Sequence, residues 1–182
     1  MKGSHAPSLR TRVKRALRGE LAMLAGQRVL VACSGGTDST AMLHVLATLR
    51  GEFDLSLIAA GVDHGLRAEA DAELGVAADL AAGLDVPFHR IRISVEPGSN
   101  LQKRARQGRL AELHALREEV SASFVATAHQ ADDRAETVLI RLLRGASPGA
   151  LAVMPARDGP LVRPILRARH ADVLLHLRRH GL

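Results

Sequence analysis

The sequence predicts an α/β fold, a doubly wound and mostly parallel five-stranded sheet with helices on both faces. Short apolar runs suited to strands buried on both faces alternate with longer stretches in which apolar residues recur every three or four positions. This alternation favours right-handed crossovers and a parallel sheet. The chain has 182 residues, 47% of them hydrophobic, which is enough for one domain with a sizeable core.

The strands and helices can be assigned in order along the chain. Four strands are predicted over 28–33, 55–62, 88–93 and 124–128, and five helices over 39–49, 68–83, 101–120, 133–144 and 171–180. Residues 1–25 predict a basic N-terminal helix, and residues 26–182 predict the sheet domain. Ligands of parallel sheets collect at the carboxyl ends of the strands, so functional residues are expected there.

Composition excludes several classes of site. Three Phe and no Trp or Tyr argue against an aromatic platform for unstacked bases. Cys33 is the single cysteine, which excludes a disulfide framework and a zinc or iron-sulfur site built on cysteine pairs. No apolar run approaches the ~20 residues of a membrane span, and no signal peptide is recognisable, so we expect a soluble, cytoplasmic protein without a membrane partner.

The positive charge is concentrated in separate segments. The formal net charge is +6, and all but three of the 25 basic residues are arginine. Arg12, Arg15 and Arg18 follow one another at spacings of three in the N-terminal helix, which predicts a basic face for phosphate groups. The alternative is an ordinary solvated helix face.

The most informative segment is a glycine-rich loop between the first strand and the next helix. It reads SGGTDS and comprises Ser34, Gly35, Gly36, Thr37, Asp38 and Ser39. The two glycines allow consecutive N–H groups to point toward one anion, and the helix N-terminus adds partial positive charge. The loop therefore predicts a phosphate site. The alternative is a simple turn in which Asp38 or Ser39 caps the helix.

The loop and four later motifs carry a resemblance to a known family. SGGTDS resembles the PP-loop of the N-type ATP pyrophosphatases, whereas the consensus loops GxxxxGK[ST] and GxGxxG are absent. The later motifs are GVDHGLR (61–67), NLQKRARQGRL (100–110), ATAHQADDRAET (126–137) and VRPIL (162–166). In this order they are similar to the N-terminal catalytic domain of the tRNA(Ile)-lysidine synthetase family, which implies a Rossmann-like fold.

The resemblance implies a ligase that consumes ATP. In that family ATP activates C2 of the wobble cytidine in unmodified isoleucine tRNA, and the amine of lysine then displaces AMP. The implied cofactors are ATP and Mg²⁺, the implied partners are tRNA and lysine, and a homodimer is left open. The PP-loop would hold the pyrophosphate portion with Asp38 near the metal ion. Asp63, His64 and Arg67 would contact the nucleotide or the substrate.

The resemblance also implies which side chains surround the reacting groups. Arg109 would stabilise charge at the α-phosphate, and His129 or Asp133 would accept the proton of the amine. Glu136 would hold an ammonium group of lysine. Each has a structural alternative: His129 as an interior histidine, Asp133 as a complement to the helix dipole and Glu136 as the partner of a nearby arginine.

The other reactive side chains near these motifs are interpreted as structural or exposed. They are Cys33 as a small buried residue, Arg104 and Arg106 as surface charges, and His44, His114 and His176 as structural or exposed histidines.

The chain departs from the family pattern in length and at three positions. Leu110, Gln130 and Arg134 stand where the family commonly has tyrosine, histidine and glutamine. We expect the C-terminal tRNA-binding domains of the family to be absent. Two other functions therefore stay open: a PP-loop enzyme that adenylates a different substrate, and a non-catalytic nucleotide-binding module.

Overall fold

A computed structural model of the chain describes residues 6–63, 70–93, 101–147 and 154–182. The helices are α1 (Leu9–Arg18), α2 (Thr37–Leu49), α3 (Ala70–Gly83), α4 (Leu101–Glu119), α5 (Ala131–Leu143) and α6 (His170–His180). The strands are β1 (Arg28–Ala32), β2 (Ser56–Asp63), β3 (Phe88–Arg92), β4 (Phe124–Ala126), β5 (Arg157–Asp158) and β6 (Leu161–Val162). Every strand and helix predicted between residues 28 and 180 is present, with ends within two residues of the prediction. The N-terminal helix, predicted within residues 1–25, spans the shorter segment Leu9–Arg18.

The six strands form one sheet in the order β3-β2-β1-β4-β6-β5. All neighbours pair in parallel except β5, which is antiparallel to β6. The fold class is therefore confirmed, but the predicted number of five strands is wrong. The four strands located in the sequence correspond to β1–β4. The other two strands, β5 and β6, have two residues each, too few to show a periodic pattern in the sequence.

Each face of the sheet is covered by its own apolar cluster. Along β1, Val29 and Val31 belong to the cluster with α1, α2, α3 and α6, whereas Leu30 belongs to the cluster with α4. This alternation is the one expected of a strand whose successive side chains point to opposite faces. The chain runs outward from β1 through β2 to β3 and then returns to place β4 on the other side of β1. A reversal of this kind marks the usual ligand-binding edge of a doubly wound sheet.

The basic N-terminal helix is packed against the domain. Its apolar side, Leu9, Val13 and Leu17, is fully buried in the same cluster as α2 and α6. Its basic side is engaged by two carboxylates: Glu52 contacts Arg10, Lys14 and Arg18, and Asp172 contacts Arg12. Several basic side chains of α1 that were expected to bind a polyanion therefore form ion pairs within the fold.

The part of the chain that the structure describes contains no helix long and apolar enough to cross a lipid bilayer.

Candidate active site

A cavity of about 460 Å³ opens at the carboxyl ends of β1, β2 and β4. This volume is within the usual range for small-molecule sites. Its lining includes five of the six glycine-loop residues, together with residues of α4 and α5 and residues that directly follow β4. Those expected from the sequence are Ser34, Gly36, Thr37, Asp38, Ser39, Arg109, His129 and Asp133. The cavity thus joins the phosphate loop to three side chains expected to act on substrate.

The loop has a backbone conformation that requires glycine. Gly35 has φ of +84°, and a Cβ at this position would lie 2.0 Å from the carbonyl oxygen of Glu73 in α3. Gly36 is the N-cap of α2, and no side chain supplies a capping hydrogen bond there. The first N–H groups of a helix lack intrahelical acceptors, so those of α2 are left to bind an anion at the loop.

The hydroxyl of Ser39 shapes the loop from within. It accepts a hydrogen bond from the N–H of Ser34 over 3.2 Å and donates to the carbonyl of Gly36 over 2.9 Å. Ser39 is buried, and its single hydroxyl proton is used in this contact. Ser34 also lines the cavity, and its Oγ donates to Oγ of Ser39 over 3.3 Å, because the Ser39 proton is already used.

Asp38 presents a half-buried carboxylate to the cavity. Its Oδ2 accepts a hydrogen bond from Gln130 over 3.3 Å, and its Oδ1 lies 3.6 Å from Nδ1 of His170. Oδ1 is buried, and among the described residues no group donates a hydrogen bond to it. Burial raises the pKa of Asp38, and the nearby Asp133 carboxylate raises that pKa further. A cation would relieve both effects, so the site fits a divalent metal ion.

His129 is held between two side chains. Nε2 lies 3.2 Å from Nη2 of Arg106, and Nδ1 lies 3.0 Å from Oγ1 of Thr127. Burial lowers the pKa of His129 to about 4, and the Arg106 charge contributes to that decrease. The imidazole is therefore neutral at pH 7.

Arg109 lies one turn beyond Arg106 on α4, on the same side of the cavity. Burial lowers the pKa of Arg109, and repulsion by the Arg106 charge lowers it further. Two guanidinium groups close enough to repel each other favour an anion between them.

Comparisons with known proteins show the family of this chain. Residues 8–182 match the family model of the PP-loop domain. The chain belongs to the PP-loop domain family. Two similar proteins named tRNA(Ile)-lysidine synthase come from Ralstonia nicotianae, 41% identical over 161 residues, and Symbiobacterium thermophilum, 42% identical over 168 residues. These alignments cover 85% and 86% of this chain but 35% and 34% of the relatives. The resemblance read from the motifs is confirmed, and the chain spans about a third of those relatives' length.

Two solved structures share the PP-loop domain fold. A U34-tRNA thiolase from Methanococcus maripaludis, described with its [4Fe-4S] cluster, superposes with a TM-score of 0.80 at 20% identity. That match covers 96% of this chain and 63% of the thiolase. An NH3-dependent NAD synthetase from Campylobacter jejuni gives a TM-score of 0.61 at 16% identity, over 96% of this chain and 71% of the synthetase. At these identities the likeness concerns the fold alone.

Not every predicted residue reaches the PP-loop cavity. Asp63 ends β2 outside the cavity lining, and its carboxylate lies 3.6 Å from Nε of Arg92. Glu136 is exposed on α5 and is not part of the lining either. His64 and Arg67 lie outside the described residues.

Asp133 has a structural contact as well as a place in the cavity. One of its oxygens, Oδ2, accepts a hydrogen bond from the N–H of Gln130 over 2.6 Å and so caps α5. The carboxylate also faces the PP-loop cavity. The capping interpretation and the functional one are therefore compatible.

Sequence reasoning missed two arginines of the PP-loop cavity. Arg106 is exposed, as expected of a surface charge, but it also lines the cavity and contacts His129, which the sequence did not indicate. Arg163 is 7% exposed, donates from Nη1 to the carbonyl of Pro155 over 2.7 Å and also lines the cavity. Its place in the VRPIL motif was the available signal. Burial lowers the pKa of Arg163, and the Asp158 carboxylate opposes that decrease.

Cys33 is buried, as expected, directly before the PP-loop. Burial raises the pKa of its thiol, which keeps the sulfur protonated and unsuited to nucleophilic attack at neutral pH.

Proposed function

We propose that this chain carries the catalytic domain of an ATP-dependent ligase that modifies the wobble cytidine of isoleucine tRNA with lysine. The observation that carries the proposal is the single cavity shared by the PP-loop and Arg109, His129 and Asp133. Its support from similarity is the set of relatives named tRNA(Ile)-lysidine synthase, at about 40% identity over most of this chain.

The proposed reaction has two steps with different demands. In the first, the C2 oxygen of cytidine attacks the α-phosphate of ATP, and pyrophosphate leaves. In the second, an amine of lysine attacks C2, the C2–oxygen bond breaks, and AMP leaves with that oxygen. The amine loses one proton in this step. The site must therefore bind pyrophosphate, neutralise charge at the α-phosphate and take up a proton.

The PP-loop and α4 meet the first two demands. The N–H groups at the start of α2 and the hydroxyl of Ser34 would bind the pyrophosphate portion. Arg109, with Arg106 beside it, would stabilise the charge that develops on the α-phosphate. Oδ1 of Asp38, to which no described residue donates a hydrogen bond, would hold Mg²⁺. When bound, the metal ion would neutralise phosphate charge.

His129 and Asp133 are the candidates to accept the proton that the amine of lysine loses. With Arg106 against its Nε2, His129 is a weak base, because its pKa is about 4. We propose that nucleotide phosphates draw Arg106 away from His129. This movement frees Nε2 to accept a proton when the amine arrives and removes one cause of the lowered pKa of His129, while burial, the larger cause, remains. Asp133 would then orient the ammonium group, with Glu136 as a contact for lysine outside the cavity.

One rival function is sulfur transfer, favoured by the fold likeness to the tRNA thiolase. A [4Fe–4S] cluster is normally held by cysteines. Cys33 is the single cysteine of this chain and is buried, so the ligand set is missing here. A second rival function is a nucleotide-binding module without catalysis. It would explain the PP-loop, but binding alone does not require Arg106, Arg109 and His129 together in the cavity.

A direct test incubates the protein with ATP and unmodified isoleucine tRNA, with and without lysine, and measures the release of pyrophosphate and AMP. We expect pyrophosphate release to require tRNA, and formation of lysidine to require lysine as well. Arg109→Ala should lower turnover by about 100-fold, whereas Lys103→Ala, on the same helix but outside the cavity, should leave it unchanged. Release of ADP and orthophosphate, or ATP binding without turnover under any condition, would contradict the proposal.

The remaining parts of the proposal concern partners and location. A tRNA substrate implies a cytoplasmic reaction. A homodimer is a further proposal, checked by sedimentation of the chain with and without tRNA.

A further inference from the structure

Three histidines that are not part of the PP-loop cavity lining lie close together. His44 projects from α2, and His176 and His180 project from α6. One ring nitrogen from each lies within 4.8 Å of the others, and Nδ1 of His44 is 2.9 Å from Nε2 of His176. The ring centroids are 4.6 to 5.0 Å apart. We call these residues the histidine cluster.

We propose that the histidine cluster binds a divalent transition-metal ion of the zinc class. His176 and His180 are four residues apart, so they share one face of α6, as two metal-ligating histidines on a helix do. His44 adds the third ligand from the neighbouring helix. A tetrahedral zinc ion with Zn–N bonds of 2.0–2.1 Å needs ligand nitrogens about 3.4 Å apart. The His44–His176 separation of 2.9 Å is slightly shorter than that distance, and all three ligand nitrogens lie within 4.8 Å of one another, so side-chain rotations would bring them to tetrahedral spacing.

The chemistry of the cluster selects the type of metal. All three ligands are imidazoles, which suit zinc, nickel and copper. Mg²⁺ and Ca²⁺ prefer oxygen ligands, and the cluster found among the described residues contains no carboxylate. A transition metal of this class is therefore the expected occupant.

Metal binding would change the tautomers of the cluster. In a neutral imidazole one ring nitrogen is a donor and the other an acceptor. The hydrogen bond between Nδ1 of His44 and Nε2 of His176 requires a proton on one of these two nitrogens. A metal ion bound by both would replace that hydrogen bond, and the proton would move to the other nitrogen of its ring.

Burial differs among the three ligands in a way that leaves an open side. His176 is buried and His44 half-buried, whereas His180 is exposed at the end of α6. Three protein ligands with one solvent-facing position form an exchangeable site rather than a closed structural one.

The metal would fasten two helices that also meet at the PP-loop. Near their N-termini, Asp38 of α2 lies 3.6 Å from His170 of α6. Six residues further along each helix, His44 meets His176. The bound ion would therefore hold α2 and α6 in the register that places His170 beside Asp38.

The experiment titrates chelator-stripped protein with Zn²⁺ at pH 7.5 against a chromophoric chelator, and records the visible spectrum of the Co²⁺ form. We expect one ion per chain and the absorption of a four-coordinate Co²⁺ site. His180→Ala, at an exposed position that does not support the core, should weaken Zn²⁺ binding at least tenfold. At 100-fold excess over Kd, Zn²⁺ should raise the wild-type Tm by about 5–10 °C.

The controls decide between this site and others. His114→Gln, on α4, should bind Zn²⁺ like the wild type, and His176→Gln should lose binding even where its melting temperature shows that it is folded. Wild-type affinity in His180→Ala would overturn the proposal. Loss of binding in Asp38→Asn with retention in His180→Ala would also overturn it, because the ion would then belong to the PP-loop cavity.

Discussion

Nη2 of Arg106 donates a hydrogen bond to Nε2 of His129 over 3.2 Å. A guanidinium group is always a donor, so Nε2 must be the unprotonated nitrogen of the ring. The ring proton then lies on Nδ1, which donates to Oγ1 of Thr127 over 3.0 Å. One arginine thus fixes the tautomer of the imidazole and, through its charge, helps to keep it neutral.

Removal of that arginine should make His129 more basic. We expect Arg106→Ala to raise the pKa of His129 from about 4, since a positive charge beside the ring is lost while burial remains. An NMR titration of the imidazole measures this directly. Turnover should fall about 10- to 100-fold because Arg106 also faces the nucleotide site. Lys103→Ala removes the same charge from the same helix and should change neither quantity; an unchanged His129 pKa in Arg106→Ala would refute the assignment.

His129 should also contribute to acid sensitivity of the fold. Its pKa is 6.5 when unfolded and about 4 when folded, so between these values the unfolded chain binds more protons. The free energy of unfolding therefore decreases as pH falls from 6.5 to 4. In His129→Gln this decrease should be shallower, as measured by urea denaturation at several pH values. His114→Gln is the control, and an equal slope in both variants would show that His129 does not drive the loss.

The carboxylate of Asp38 should lower the free energy of unfolding at neutral pH, although the proposed metal site needs it. Burial and Asp133 raise the pKa of Asp38, so its ionised form is disfavoured in the folded protein at neutral pH. We expect Asp38→Asn to raise the metal-free Tm at pH 7. The corresponding gain in unfolding free energy should be less than about 1 kcal/mol, because the carboxylate is partly solvated. The gain should vanish at acidic pH, where Asp38 is protonated. Turnover with Mg²⁺ should be abolished.

The control for that change is Asp79→Asn, at an exposed position of α3. It should alter neither the melting temperature nor turnover. A lower Tm in Asp38→Asn than in the wild type would contradict the account of the buried carboxylate.

Gly35→Ala should damage the PP-loop more than a positive φ alone explains. A methyl group at residue 35 would lie 2.0 Å from the Glu73 carbonyl, so the loop or α3 must move. Gly26→Ala is the matched control, because Gly26 has φ of +77° but no atom within 4 Å of its Cβ position.

We expect Gly26→Ala to cost about 1 kcal/mol of unfolding free energy and to leave ATP affinity intact. Gly35→Ala should cost at least about 2 kcal/mol more and lower ATP affinity at least tenfold. Urea denaturation and equilibrium dialysis with ATP measure the two effects. Equal stability costs in both variants would show that the steric contact is unimportant.

Local patterns in the sequence predicted most of the sheet and the PP-loop. Strands such as β1 and helices such as α2 are encoded by periodicity, and the loop by glycines next to a strand end. The β5–β6 pair was not predicted, because strands of two residues are too short for a periodic pattern and form through pairing with neighbouring strands.

Contacts between distant segments limited the prediction of side-chain roles. Arg106 sits on a polar helix stretch that resembles an exposed face, and only the position of α4 over the sheet brings it to His129. The histidine cluster depends in the same way on the packing of α2 against α6. Glu136 was expected at the substrate because it lies one turn from Asp133, but the exposed side of α5 turns it away from the cavity.

The pairing of α2 with α6 joins segments that lie far apart along the chain. The Asp38–His170 contact and the His44–His176 contact each span 132 residues. Contacts of such long sequence separation form late, because the chain must first lose the freedom of the intervening loop. The anion-binding bend that follows β1 is therefore completed among the later events of folding.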